Sequence, residues 1–470
     1  MAKTTHIAIV PGPLLSHLVS TIEFSKRLVH LHPNFHVTCI FPVLESPPSA
    51  FMSNLQHLPS SIEPIFLPPI RKHEMPEGAE PVVQIQLTVT KSLPLLRDLL
   101  KSLNSKTPLS ALLSEPFSFE LLDFAKEQLN TLSFVFFPSA AMVLSLFYYI
   151  PKLDQMISGE FTDLSEPIQI PGCVPLHGRD LPKPVQNRAS VGYQHFIERA
   201  KKFFFLDGVL VNSFVELEEG TARALTKEGC ENPPVYLIGP ITQSADSVSG
   251  SVSDSECLSW LDKQPPRSVL FMCFGGGGTL SQTQINELAF GLEQSGKRFL
   301  WVLRVPCDSL DVSVDSSNED PLEFLPEGFL ERTKEQGLVV PSWAPQVQIL
   351  AHSSTGGFLT NCGWNSILES VQHGVPLIAW PLFAEQKMNT VMLTNGLEVA
   401  LRPKVNKNGI VERGEISKVV KSLMEGEEGK EVGKRMRNLK EAAANAVKND
   451  GSSTKALSEV AMKWQQFCGI

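Results

Sequence analysis

Residues 343–386 read WAPQVQILAHSSTGGFLTNCGWNSILESVQHGVPLIAWPLFAEQ. Trp343 offers a flat face on which a base can stack. Cys362-Gly363-Trp364-Asn365-Ser366 is a small-residue turn followed by a helical pattern through Ile367, Leu368 and Val371. Asn365 and Ser366 therefore belong at a helix N-terminus, where free backbone N–H groups and the positive dipole end suit a diphosphate. Glu369 lies one turn further on, placed to accept from ribose hydroxyls. The polar pair Glu385-Gln386 closes the stretch after the apolar run 376–383 and predicts a strand end opening into a crevice. Open α/β sheets bind their ligands there.

The pattern continues outward in both directions. In the first half, short apolar strands at 6–11, 35–41, 111–113, 133–137 and 208–212 alternate with helical periodicity such as Ser20–Leu31. Such alternation predicts a parallel sheet covered by helices on both faces. The Ser-, Asp- and Gly-rich stretch 242–256, TQSADSVSGSVSDSE, predicts an interdomain linker. A second series follows: strand 268–274, glycine loop 275–278, helix 281–294 and strand 299–303. Ser281 and Gln284 make a capping-box pattern at the start of that helix. The acidic, Ser-rich segment 306–320 reads as a surface loop, and 413–467 as charged helix. The expected fold class is α/β, with two doubly wound Rossmann-like domains facing across a cleft. The expected divisions are an acceptor-binding domain at 1–241, the linker at 242–256, a donor domain at 257–455 and a last helix at 456–470.

At 470 residues the chain exceeds one ordinary core. A net charge of −9 argues against nucleic acid as the main partner. The eight cysteines are scattered without CxxC spacing, which predicts a reduced, cytoplasmic protein. No metal-ligand spacing appears, so no metal is expected. The most apolar run, 134–150, is interrupted by Pro138 and followed by Ser139 as a helix-start signal. It predicts a buried strand and helix, not a membrane span. Oligomeric state is not written in the sequence, and a monomer is the default expectation.

His17 follows the first strand (HIAIVP) and precedes the first helix, which puts its ring at the carboxyl edge of the sheet. A His there suits the work of a general base.

The stretch 343–386 closely resembles the sugar-nucleotide-binding box of plant family 1 UDP-dependent glycosyltransferases. With PLFAEQKMN around its end, it resembles the branch that includes hydroquinone-, monolignol- and flavonoid-glucosylating enzymes. The resemblance implies a GT-B fold whose last helix packs back on the N-terminal domain. It implies inverting, metal-independent transfer of glucose from UDP-glucose, as co-substrate, to a phenolic hydroxyl. It also makes His17 the base, oriented by Glu115, which stands where the family has Asp. On the donor side it implies that Trp343 stacks on uracil, while Ala344 and Gln346 hold its edge and the ribose. Glu369 takes the ribose hydroxyls, Asn365 and Ser366 bind the diphosphate, and Trp364, Glu385 and Gln386 contact the sugar. Ser139 lies near the sugar and diphosphate. Three departures stand out. Asn361 replaces the family's diphosphate-binding His, Gly276 replaces a Ser or Thr, and Leu14-Leu15 replace small residues before His17. Glu115, Asn361 and Gly276 keep open a sugar-nucleotide-binding protein with weak or no catalysis, and the sequence also leaves a C-glucosyltransferase open. A Rossmann dehydrogenase is excluded because the first loop reads PGPLLS and not GxGxxG.

Overall fold

In a computed structural model the chain is described over residues 4–467, apart from 48–50, 53, 54, 56, 77, 80, 228, 230, 244–251, 277 and 307–318. Two parallel sheets organise it. The first has the order β3-β2-β1-β4-β5-β6-β7. Its strands are β1 (Thr5–Val10), β2 (Phe35–Phe41), β3 (Ile62–Phe66), β4 (Leu109–Ser114), β5 (Leu132–Phe137), β6 (Gly208–Val211) and β7 (Val235–Leu237). The second has the order β10-β9-β8-β11-β12-β13. Its strands are β8 (Val269–Cys273), β9 (Arg298–Leu303), β10 (Gly337–Pro341), β11 (Thr355–Thr360), β12 (Leu377–Ala379) and β13 (Ala400–Leu401). Strands covered by helices on both faces must be apolar throughout. Accordingly β1, β4 and β11 are buried along their whole length. In each sheet the order reverses beside the first strand of its series, leaving a crevice at the carboxyl ends.

The last helix, Ser452–Phe467, leaves the second series and packs on the first sheet. Trp464 is fully buried, with ring centroids 5.4 Å from Phe134 and 6.1 Å from Phe35. Truncating such a residue costs about 3–5 kcal/mol. Arg27 holds the same helix, donating to Thr454 Oγ1 at 3.1 Å and to the Ile238 carbonyl at 2.8 Å. No helix among the described residues is long and apolar enough to cross a membrane.

Several local readings need correction. The first helix runs Leu15–Leu31, five residues earlier than the periodicity from Ser20 indicates. Its cap position, Leu14, makes no side-chain bond, so no capping residue marks the start. Ser139 does not start the next helix either. That helix begins at Ala141, and its first N–H groups, on Ala141 and Met142, donate to the Glu218 carboxylate, both at 2.8 Å. Half of the expected capping box at 281–284 forms: Ser281 Oγ accepts from Gln284 N–H, while the Gln284 side chain pairs with the Val411 backbone. The linker 242–256 lies largely outside the described residues, and 252–256 already belong to a helix, Val252–Leu261. The surface-loop segment 306–320 also lies mostly outside them.

Candidate active site

β1 ends at Val10, and the chain turns through Pro11–Leu14 into the first helix, so His17 sits in that helix's first turn and not before it. β4 lies beside β1 and ends at Ser114, which delivers Glu115 to the same edge. There His17 Nδ1 and Glu115 Oε2 are 2.5 Å apart. Glu115 is fully buried, and Oε2 also accepts the Gly12 N–H at 2.9 Å. Gly12 allows that approach: a Cβ there would stand 3.1 Å from the Phe117 ring and 3.5 Å from Oε2. Ser118 fixes the other end of the turn, accepting the Glu115 N–H at 3.0 Å and donating to the Val10 carbonyl at 2.7 Å. Glu115 Oε1 has no partner among the described residues. The carboxylate is therefore balanced entirely through Oε2. Glu, one methylene longer than Asp, reaches the imidazole without difficulty.

A carboxylate only accepts, so the proton on Nδ1 points to Glu115 and Nε2 keeps its lone pair. Burial pulls the His17 pKa down. The Glu115 charge and hydrogen bond, with the Glu385 charge beyond, more than offset this and hold it above the usual value of 6.5. For Glu385, burial raises the carboxyl pKa against the lowering effect of a backbone hydrogen bond and of His17.

The facing wall comes from the second sheet. Helix Trp364–His373 starts from Gly363, whose backbone is extended, with no side chain capping it. Its first N–H groups are thus available, and Asn365 and Ser366 occupy the first turn. The two helix N-termini, at His17 and at Asn365, meet across the cleft. Asn365 Nδ2 donates to the Ser16 carbonyl and to Ser20 Oγ, both at 3.2 Å. Trp364 is buried, and its indole N–H crosses to the Asn212 carbonyl at 2.7 Å. What it offers a ligand is therefore its backbone. Sequence reasoning missed Gly12, Ser20 and Asn212, because each acts through a contact more than a hundred residues away along the chain.

Gln346 Nε2 bridges Ser366 Oγ at 2.9 Å and Glu369 Oε2 at 2.7 Å. Burial raises the Glu369 carboxyl to about 7, against the lowering effect of the Gln346 bond. Trp343 is 45% exposed, and its neighbour Ala344 is buried. Asn361 is committed to the protein: Nδ2 donates to the Phe274 carbonyl at 2.7 Å and Oδ1 accepts the Gly363 N–H at 3.2 Å. It staples the glycine loop to the start of helix Trp364–His373. Gly276 is open, with nothing within 4 Å of where a Cβ would stand. Gly277 lies outside the described residues. Ser139 Oγ is buried and has no partner among the described residues.

Glu385 and Gln386 do not end a strand. β12 stops at Ala379, Pro381 follows, Ala384 turns with φ 52°, and Glu385 precedes a helix, Gln386–Val391. Gln386 Oε1 accepts the Leu382 and Phe383 N–H groups at 2.8 and 2.9 Å. The apolar run thus reads as one long strand, but only its first part pairs. Of the aromatics near the cleft, Phe119, Phe137, Phe147 and Phe203 pack on one another in the core, whereas Phe117 borders His17 at 6.0 Å between ring centroids.

Known proteins share this arrangement. Residues 265–440 match the family described as UDP-glucoronosyl and UDP-glucosyl transferase. The chain is 52% identical over 469 residues to a hydroquinone glucosyltransferase of Rauvolfia serpentina, covering 99% of each. It is 48% identical to a Polygonum tinctorium UDP-glucosyltransferase capable of glucosylating indoxyl, solved with 3,4-dichloroaniline. The TM-score is 0.90, over 99% of this chain and 100% of that one. Phytolacca americana UGT2, solved with UDP-2-fluoro-glucose and pterostilbene, is 45% identical with a TM-score of 0.89, over 98% of this chain and 100% of that one. With two parallel α/β sheets, a cleft between them and nearly end-to-end identity of this size, the chain belongs to the UDP-glucosyltransferase family and has its GT-B fold.

Proposed function

We propose that this enzyme transfers glucose from UDP-glucose to a phenolic hydroxyl of a small plant metabolite, giving a β-O-glucoside, with His17 as the base. The observation that carries the reading is the 2.5 Å His17–Glu115 contact placed opposite the N-terminus of helix Trp364–His373. A free phenol, with a pKa near 10, is a poor nucleophile at neutral pH. His17 Nε2 takes its proton as the oxygen attacks the anomeric carbon. The bond from that carbon to the phosphate oxygen breaks from the opposite face, and its electron pair leaves with UDP. One such displacement inverts the α-linked donor. Glu115 holds the tautomer and stabilises the imidazolium.

Trp343, Ala344, Gln346 and Glu369 would hold the uridine. The helix start at Asn365 and Ser366 would hold the diphosphate. Ser139, Glu385, Gln386 and the Trp364 backbone would surround the sugar. In this reading, residues 1–241 with the last helix receive the acceptor, and 257–455 the donor. The activities and ligands of the relatives, on hydroquinone, indoxyl and a stilbene, support a flat aromatic acceptor. Incubating a panel of flavonoids, isoflavones, monolignols and hydroquinone with UDP-glucose, followed by mass spectrometry, tests it. An acid-labile hexose adduct is expected. An acid-stable adduct would point to C-glucosylation, and no adduct with UDP-glucose still bound would point to a binding protein.

The departures lead to a second expectation. Ser at position 276 fits without displacing a neighbour and supplies a hydroxyl donor to the diphosphate. Gly276→Ser should therefore tighten UDP-glucose binding roughly 10- to 100-fold, the worth of one hydrogen bond to a charged group. Calorimetric titration measures it, and an unchanged affinity means the loop does not touch the phosphates. Asn361→His is not expected to give the same gain, because Asn361 already serves Phe274 and Gly363.

A further inference from the structure

The donor site, as assigned above, is poorly matched in charge to its ligand. A sugar nucleotide carries two ionised phosphates. The cleft supplies two helix N-termini but also Glu115, Glu369 and Glu385, and none of the proposed donor-binding residues is cationic. Asn361, at the diphosphate-facing end of β11, can carry no charge.

Arg304 follows the last residue of β9. The strand order β10-β9-β8-β11 sets the end of β9 between two neighbours: β10, which leads to Trp343, and β8, which leads to the glycine loop. Arg304 thus stands on the line from the base platform to the diphosphate helix. Its Nη1 donates to the Gly276 carbonyl and lies 3.4 Å from the Gly275 carbonyl oxygen. Gly275 in turn abuts Asn361, whose Nδ2 is 3.2 Å from where a Gly275 Cβ would stand. A small, largely apolar cavity reaches Arg304, lined also by Phe274, Gly275, Thr279, Trp301 and Leu303.

We propose that Arg304 is the phosphate-binding cation of the donor site. The Gly275 and Gly276 carbonyls are among the groups that hold the guanidinium in the donor-free enzyme. A phosphate offers formal negative charge and two oxygens that match the guanidinium fork, where each carbonyl offers one neutral oxygen. The guanidinium therefore transfers from the loop carbonyls to the donor. As the bond to the anomeric carbon breaks, the electron pair collects on the phosphate oxygen, and a cation there lowers the barrier. Sequence reading passed Arg304 over because a lone Arg after the apolar strand FLWVL is most simply a solvent-facing strand end.

The inference rests on the donor site being where the proposed function puts it, so its test separates the two. Calorimetry compares UDP with uridine, which has no phosphate, on the native protein, Arg304→Gln, Arg304→Lys and Trp343→Ala. Arg304→Gln should weaken UDP binding roughly 10- to 100-fold, the range for a hydrogen bond to a charged group, and leave uridine within about twofold. It should also flatten the salt dependence of UDP binding. Arg304→Lys should retain part of the affinity, as a point charge without the guanidinium fork. Equal loss of UDP and uridine in Arg304→Gln, or unchanged UDP affinity, overturns the assignment. Trp343→Ala should weaken both ligands. If it weakens neither, the donor-site placement itself fails, and the assignment of Arg304 fails with it.

Discussion

Replacing His17 by Ala is expected to lower glucoside formation about 10³-fold while leaving UDP-glucose affinity within about threefold. Loss of a positioned general base removes a group that acts only in the transition state, so kcat should fall and the donor KM should hold. The ring contributes little to the fold. It is partly exposed at 19% of its side chain, and the helix around it is anchored by Leu18 and Ile22. Product formation by mass spectrometry and donor binding by calorimetry, made on one preparation, read both halves of the expectation. Native turnover in the variant would remove His17 from the chemistry. Loss of donor binding would make it part of the donor site instead.

Glu115→Gln should cost roughly 10²-fold in kcat and move the acidic limb of the pH–rate profile to lower pH. The sign follows from the charges. Burial is the largest single influence and lowers the His17 pKa, but the Glu115 charge and hydrogen bond, with the Glu385 charge, together raise it by more. The active, unprotonated base therefore accumulates only above a pKa that lies over 6.5 in the native enzyme. A neutral amide removes the main upward influence, so the limb shifts down while the plateau falls. The same linkage acts on stability. A His whose folded pKa is raised contributes stability that is complete below its unfolded pKa of about 6.5 and is lost as pH rises through the folded value. The difference in Tm between native protein and Glu115→Gln should accordingly shrink between acidic and alkaline buffer. Glu115→Asp tests reach: the shorter side chain cannot serve both His17 and the Gly12 N–H from the same backbone. It should lose less than Glu115→Gln and keep the raised limb. A pH profile identical to native in Glu115→Gln would leave Glu115 as a structural acceptor for Gly12 alone.

What could be read from the chain and what could not divides along a physical line. Local patterns carried the two parallel sheets, the helix start at Asn365–Ser366 and the strand edge at His17. Hydrophobic period and turn residues are properties of a few consecutive positions. The resemblance of residues 343–386 carried the family, because that box is contiguous. Where local signals competed with distant partners, they failed. The first helix begins at uncapped Leu15, the helix at Ala141 takes its cap from Glu218, and Glu385–Gln386 begin a helix where the apolar run suggests a strand.

By itself, then, the sequence determined the fold class, the helix start at Asn365–Ser366 and the candidate base. Each is encoded in short stretches whose periodicity or side-chain chemistry needs no partner. Only the tertiary structure decided that Glu115 reaches His17, that Asn361 is tied to the glycine loop, and that Arg304 reaches the carbonyls of that loop. These depend on which strand ends become neighbours. Parallel pairing brings together residues as far apart as 17 and 115, and no local pattern records the distance between them.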